Sequence, residues 1–255
     1  MENDVAIRGV DRDRAFESGT GWVGMNIYSH LVVASVLEAD LKPGIPPAYY
    51  WGAVAPDIRY LAGIRRNQTH IPASKICAYM EQYPNLRAFL QGYLVHCLTD
   101  EVDLETMLYR QFPLNLLKGK LTARQIVVLL ELFYLENVTL EKKVSGDHNA
   151  VLAELGIDKA VVETAAQAIT RYLSSPSWVS SVSLAQELGM LGDSRIDKYL
   201  TAAEQFQTRR IWKKLLFLGL HRVKITDQVV AAVREKLQVY SDHHAVYITN
   251  ERSHT

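Results

Sequence analysis

Cysteine is scarce in this chain, with only Cys77 and Cys97 among 255 residues. Two thiols cannot build a disulfide framework, so the fold must rest on an apolar core, and a reducing cytoplasm is the expected setting. An excess of charge is also missing, since 28 Lys and Arg balance 28 Asp and Glu. That balance excludes the strong electrostatic footprint of a duplex nucleic-acid binder. It leaves room for a small phosphate-bearing substrate. The longest apolar run, Ile126-Val127-Val128-Leu129-Leu130, stops at Glu131, so no transmembrane segment is expected. The first residues carry Glu2, Asp4, Arg8, Asp11, Arg12, Asp13 and Arg14, too much charge for a secretory signal. Neither a G-x-x-x-x-G-K-[ST] loop nor a G-x-G-x-x-G turn occurs, and there is no internal repeat.

What is present is helical periodicity. No stretch alternates convincingly at period two. The pattern predicts an all-α fold with helices near 26–39, 47–61, 73–82, 85–110, 122–141, 147–155, 158–174, 181–190, 194–219 and 225–239. Gly219 is expected to end the penultimate helix, and Thr226-Asp227 to open the last. Residues 1–24 read as a polar N-terminal arm with Gly19 and Gly21, and residues 241–255 as a polar tail. Between them, residues 25–240 read as a single helical domain.

The most informative residues are His96 and Asp100, four apart in Phe89-Leu90-Gln91-Gly92-Tyr93-Leu94-Val95-His96-Cys97-Leu98-Thr99-Asp100. On a helix they share a face one turn apart. The segment is apolar on nearly every side, and burying lone ionisable groups there is costly. A metal ion is one partner that would take both. A hydrogen-bonded His–Asp pair without metal is the other reading of that spacing. Three more ligand-type residues stand at element ends or on apolar faces: His30 in Ser29-His30-Leu31-Val32, Asp57 after Ala55-Pro56, and His70 in Thr69-His70-Ile71-Pro72.

Taken in order, Asn26-Ile27-Tyr28-Ser29-His30-Leu31, Gly52-Ala53-Val54-Ala55-Pro56-Asp57, Thr69-His70 and Phe89 through Asp100 resemble the zinc-dependent phospholipase C family, which is related to the P1/S1-type nucleases. The resemblance covers roughly the first hundred residues. It implies a multi-helix bundle with a metal cluster between helices. By motif position, Asp57, His70, His96 and Asp100 look like the ligands of one ion. His30 looks like a ligand of a neighbouring ion, with Asp100 able to bridge. Asp57 matches the residue that lies beside the attacking water and orients it or acts as base. Classical members carry three zinc ions, and parts of that pattern are absent here. Trp22 is internal and so lacks a free amine, no His falls within Glu101–Thr106, and His148 and Glu154 are six apart rather than four. One or two ions are therefore implied, most simply zinc. His and carboxylate ligands also suit iron, manganese and nickel.

A divalent ion so held would lower the pKa of a bound water and offset charge on phosphoryl oxygens. Arg59, Arg65 and Arg66 flank Asp57 and His70 and are candidates to grip the phosphate. A solvated charged loop is the plainer reading of the three. Asp103, three residues beyond Asp100, would share the ligand face of a continuous 85–110 helix as a further acid. Cys97, one step off that face, reads as a core thiol. Tyr49, Tyr50 and Trp51 read as helix core, with a substrate-cleft lining as the alternative. His148 and His221 stand alone, and His243-His244 belong to the tail. The basic cluster Arg209, Arg210, Lys213 and Lys214 reads as the solvated face of a core helix, with Ile211, Trp212, Leu215 and Leu216 packed inward. A lipid-headgroup or partner surface is the competing reading.

Two functions fit these residues. One is a metal-dependent hydrolase of a phosphodiester or a phospholipid-like phosphate ester. The other is a helical metalloprotein on the same scaffold with a different metal-assisted biosynthetic or redox reaction, or a non-catalytic role.

Overall fold

Pro46 and Pro47 open a short helix that ends at Gly52, and Gly92 lies in the middle of a long one. These two helices cross with their backbones in contact. A Cβ on Gly52 would fall 1.9 Å from the Phe89 carbonyl oxygen, and one on Gly92 would fall 1.8 Å from the Tyr49 carbonyl oxygen. Glycine inside a helix is less favourable than alanine by about 1 kcal/mol. At this crossing only glycine lets the two backbones touch.

The computed structural model describes residues 27–110, 121, 123–189 and 194–243. Among them are α1 (Ile27–Leu41), α2 (Pro46–Gly52), α3 (Arg59–Ala62), α4 (Arg66–Thr69), α5 (Ala73–Gln82), α6 (Arg87–Asp100) and α7 (Leu104–Tyr109). These are followed by α8 (Ala123–Asn137), α9 (Ala150–Glu154), α10 (Lys159–Ser174), α11 (Trp178–Glu187), α12 (Ser194–Thr208), α13 (Arg210–Arg222) and α14 (Ile225–His243). Single 3-10 turns span Ala55–Ile58 and Pro84–Leu86. No strand occurs among the described residues, and the fold is all-α. None of the described helices is long and apolar enough to cross a membrane. The expected N-terminal arm, and the tail beyond His243 with His244, lie outside the described residues.

α6 is the central helix, buried from Ala88 to Asp100. It packs against α1, α2, α5 and α14. Polar groups that this burial would strand find partners. The hydroxyl of Tyr28 donates to the Val138 carbonyl at 2.7 Å, that of Tyr49 to the Ala34 carbonyl at 2.9 Å, and Trp51 Nε1 to the Asp147 carbonyl at 3.1 Å. Tyr49, Tyr50 and Trp51 are therefore core residues, as the helix-core reading had it. Cys77 and Cys97 are both buried free thiols.

Several boundaries differ from the periodicity. The expected helix 47–61 breaks after Gly52, because Pro56 has no N–H to continue the ladder and sets the 3-10 turn instead. The expected helix 85–110 also breaks. Asp103 accepts a hydrogen bond from the Thr106 backbone N–H at 3.0 Å and caps α7, so the chain leaves the axis of α6 after Asp100. The expected helix 194–219 is interrupted at Arg209, after Thr208 turns its hydroxyl back onto the Glu204 carbonyl at 3.0 Å. Gly219 does not end α13. It is buried inside it, and the turn falls at Lys224 with φ 49°. α14 continues to His243, past its expected end. Finally, Ile211, Trp212 and Leu215, expected to pack inward, are exposed, and of that group only Leu216 is buried.

The Gly52–Gly92 crossing makes a direct prediction. Gly92→Ala should destabilise by about 3 kcal/mol, the upper end for overpacking, despite alanine's better helix propensity. That would lower the melting temperature by roughly 10 °C in a chain of this size. Gly44→Ala, where an added Cβ meets nothing within 4 Å, should melt with the wild type. Equal melting of the two variants would contradict the close crossing.

Candidate metal centre

Five ligand-type side chains meet at the C-terminal end of α6. His96 and Asp100 come from α6 itself, and His30 from the first turn of α1. Asp57 sits in the 3-10 turn set by Pro56, and His70 ends α4. The sequence places these residues up to 70 positions apart, and the fold brings all five together.

Asp100 is the hub. Its Oδ1 lies 3.2 Å from His30 Nε2, and its Oδ2 lies 3.0 Å from His70 Nε2 and 3.7 Å from His96 Nε2. His96 Nε2 is also 3.1 Å from His70 Nε2 and 4.0 Å from Asp57 Oδ1. The His30 and His96 rings stack at 3.8 Å with an interplanar angle of 19°. Two overlapping ligand groups result: His30, Asp57 and His96, and His70, His96 and Asp100. The sequence motifs divide these residues differently, with His30 apart from Asp57.

The orientation of the imidazoles decides what they can do. His96 Nδ1 lies 2.9 Å from the Ala53 carbonyl, which can only accept, so Nδ1 carries the proton. The lone pair of His96 is thereby on Nε2, facing the cluster. With one free lone pair, His96 can serve one ion only. His70 is less constrained. Its Nδ1 lies 3.1 Å from Thr69 Oγ1, which donates to the Arg66 carbonyl at 3.3 Å and can accept a proton from Nδ1 when Nε2 turns its lone pair to an ion, while in this structure Nε2 faces Asp100. The Tyr93 hydroxyl donates to the Thr69 carbonyl and fixes this corner.

Electrostatics follow from burial. Desolvation works to raise the Asp100 carboxyl, but His30 beside it and hydrogen bonds from His30 and His70 hold it well below the usual carboxylate range. Burial, followed by the neighbouring His30, pushes the His96 imidazole well below its ordinary value. A neutral His96 facing an ionised Asp100 is the protonation state that a metal ion requires. Side-chain exposure grades from 0% at His30 and His96, through 4% at Asp100, 10% at His70 and 14% at Asp57, to 33% at Arg66. The centre therefore has a closed floor on α1 and α6, and opens to solvent past α4.

The three arginines fall in different places. Arg66 Nη2 donates to Asp100 Oδ2, at the open rim. Arg59 is buried, stacked 3.8 Å over the Tyr60 ring, and its Nε and Nη1 have no hydrogen-bond partner among the described residues. Arg65 is exposed at the start of α4, where its backbone N–H donates to Gln68 Oε1 at 3.0 Å. Asp103 does not share the ligand face. α6 has already ended, and its carboxylate is spent on the exposed cap of α7. His148 Nε2 lies 2.9 Å from the Ile157 carbonyl, and His221 Nε2 lies 3.1 Å from Asn137 Oδ1. Neither joins the cluster.

Glu131 escaped the sequence reading except as the residue that stops an apolar run. It is buried on α8 and accepts from the Ser29 N–H at 3.1 Å and the Ser29 hydroxyl at 2.5 Å. It thus holds the start of α1, next to His30. A single acid inside an apolar helix is the signal that could have found it, since such a group must have a buried partner.

Comparisons with protein-family models, with curated proteins and with solved structures found no match.

Glu131 sets a pH dependence. Burial pushes its carboxyl up to about 7 from an ordinary 4.5, against the lowering by the Ser29 hydrogen bonds. Between those two values the folded chain keeps a proton that the unfolded chain has lost. The stability tied to this proton is complete below 4.5 and is lost as pH rises through 7. Chelator-treated Glu131→Gln should therefore have a flatter melting-temperature profile across that range than chelator-treated wild type. Superimposable profiles would show that Glu131 ionises normally in the fold.

Proposed function

We propose that this chain is a metal-dependent hydrolase of a phosphodiester or phospholipid-like phosphate ester. The observation that carries the reading is the clustering of three imidazoles and two carboxylates, as two groups that share His96, in a partly open site beside an arginine. The donor set fits a divalent ion. Nitrogen and carboxylate donors suit zinc, and equally iron, manganese or nickel. Asp57, His70, His96 and Asp100 would hold one ion, and His30, sharing Asp100, would serve a neighbouring one. Such an ion acidifies water and neutralises phosphoryl charge.

The chain's own residues do the rest. The Ala53 carbonyl fixes the tautomer of His96, so its Nε2 lone pair already faces the cluster before a ligand arrives. Asp57, more open than Asp100, lies at the side from which water enters and can orient it or take its proton. Arg66, at the rim, can turn from Asp100 to a phosphoryl oxygen, where its planar fork suits the geometry. Two buried free thiols fit a reducing cytoplasm.

The second reading, a metalloprotein with other chemistry, is favoured by one observation. His148 and His221 are tied elsewhere, so the described residues offer no separate second ligand set.

Elemental analysis of protein purified without an affinity tag tests the centre. His96→Ala and Asp100→Ala should each lose tight metal binding, and His30→Ala should lose less. Wild-type metal content in both of the first two would remove the site. Hydrolysis of an aryl phosphodiester should be abolished by chelator and decline as pH falls, because the imidazoles must be neutral. Asp57→Asn should lower turnover by roughly a hundredfold or more while leaving the melting temperature nearly unchanged. Metal-loaded protein inert on phosphodiesters, phosphomonoesters and phospholipids would favour the second reading.

A further inference from the structure

Helix α13 shows two apolar faces. Its inner face, with Leu216, Phe217, Gly219 and Leu220, is buried. Phe217 meets Phe133 edge to face at 5.5 Å, and Lys213 Nζ donates to Glu136 Oε1 at 2.7 Å, so the helix is pinned to α8. Its outer face carries Ile211, Leu215 and Leu218, which are 77%, 57% and 65% exposed, with Trp212 beside them at 55%. The first three recur at i, i+4 and i+7, so they form one stripe along the helix. A core helix has no use for a second apolar stripe, and large apolar side chains clustered on a surface mark an interaction site.

The charges around the stripe say what covers it. Arg210, Lys214 and Arg222 are exposed on α13, with Arg209 just before it, and the helix contains no carboxylate. Lys213, the remaining cation, is already satisfied by Glu136 and Gln207. An apolar stripe with Trp, framed by Arg and Lys that make no ion pair among the described residues, matches an anionic lipid surface: the apolar side chains enter the acyl boundary and the cations meet headgroups. A second copy of the chain is disfavoured. In a two-fold pairing across this stripe, Arg210, Lys214 and Arg222 would face their own counterparts.

We infer that the outer face of α13 docks the protein on anionic membranes, with Ile211, Trp212, Leu215 and Leu218 inserted and Arg210, Lys214 and Arg222 on the headgroups. This rests on α13 alone and holds whatever the metal centre does.

Flotation of the full chain with phosphatidylglycerol-rich vesicles, and with pure phosphatidylcholine vesicles, tests it. Binding should be confined to the anionic vesicles, weaken with added salt, and shift Trp212 emission to the blue. The triple variant Ile211→Ser, Leu215→Ser, Leu218→Ser, and separately Arg210→Glu with Lys214→Glu, should each lower the bound fraction about tenfold at unchanged melting temperature, since all the substituted side chains are exposed. Absence of binding by the wild type, or equal binding by both variants, would overturn the inference. So would a wild-type dimer that the triple variant abolishes, which would assign the stripe to a second copy.

Discussion

The contact of two backbones at Gly52 and Gly92 is the constraint on which the centre depends. Any side chain at either position would meet a carbonyl of the opposite helix. Because α2 and α6 touch there, the residue after α2, Ala53, presents its carbonyl to His96 one turn further along α6. The same closeness carries Asp57, four residues past Ala53, to the other nitrogen of that ring. A wider crossing, as alanine would impose, would pull the Ala53 carbonyl from Nδ1 and leave the tautomer of His96 unspecified. The helix-propensity cost of two buried glycines is thus offset by the geometry they permit.

Around that crossing, charge is shared rather than paired one to one. Asp100 receives His30 and Arg66 on different oxygens and lies close to His70 and His96. An isolated carboxylate at this depth would be strongly disfavoured, and removing its partners would leave a buried charge. Glu131 handles its burial in another way: it takes two hydrogen bonds from Ser29 and keeps its proton to a higher pH. The two acids flank His30, one ionised and one prone to be neutral, so the first turn of α1 is held from both sides.

Much of the candidate centre is legible in the sequence because its residues are polar groups in apolar surroundings. The fold brings His96, Asp100, His30, Asp57 and His70 together, though it groups them differently from the motifs, and the all-α fold follows from periodicity. The misses have physical causes. Periodicity runs unbroken through Glu101–Asp103, and only the bond from Thr106 to Asp103 reveals that the chain turns there. Consequently periodicity puts Asp103 on a face that α6 never presents. The partnership of Glu131 with Ser29 spans 102 positions and leaves no local pattern. On α13, apolar residues on both sides cannot tell a sequence reader which side meets the core. The pattern points Ile211, Trp212 and Leu215 inward, but Phe217 and Leu220 take that place.

The central claim is that these five side chains form one metal centre. A crystal structure of the metal-loaded protein, with anomalous diffraction at the absorption edge of the bound metal, tests it most directly. The account predicts an anomalous peak between α1, α4 and α6, roughly 2.0–2.2 Å from His96 Nε2 and a carboxylate oxygen of Asp100, with Arg66 released from Asp100. No peak there, with Arg66 still bonded to Asp100 and any ordered metal elsewhere on the chain, would contradict it.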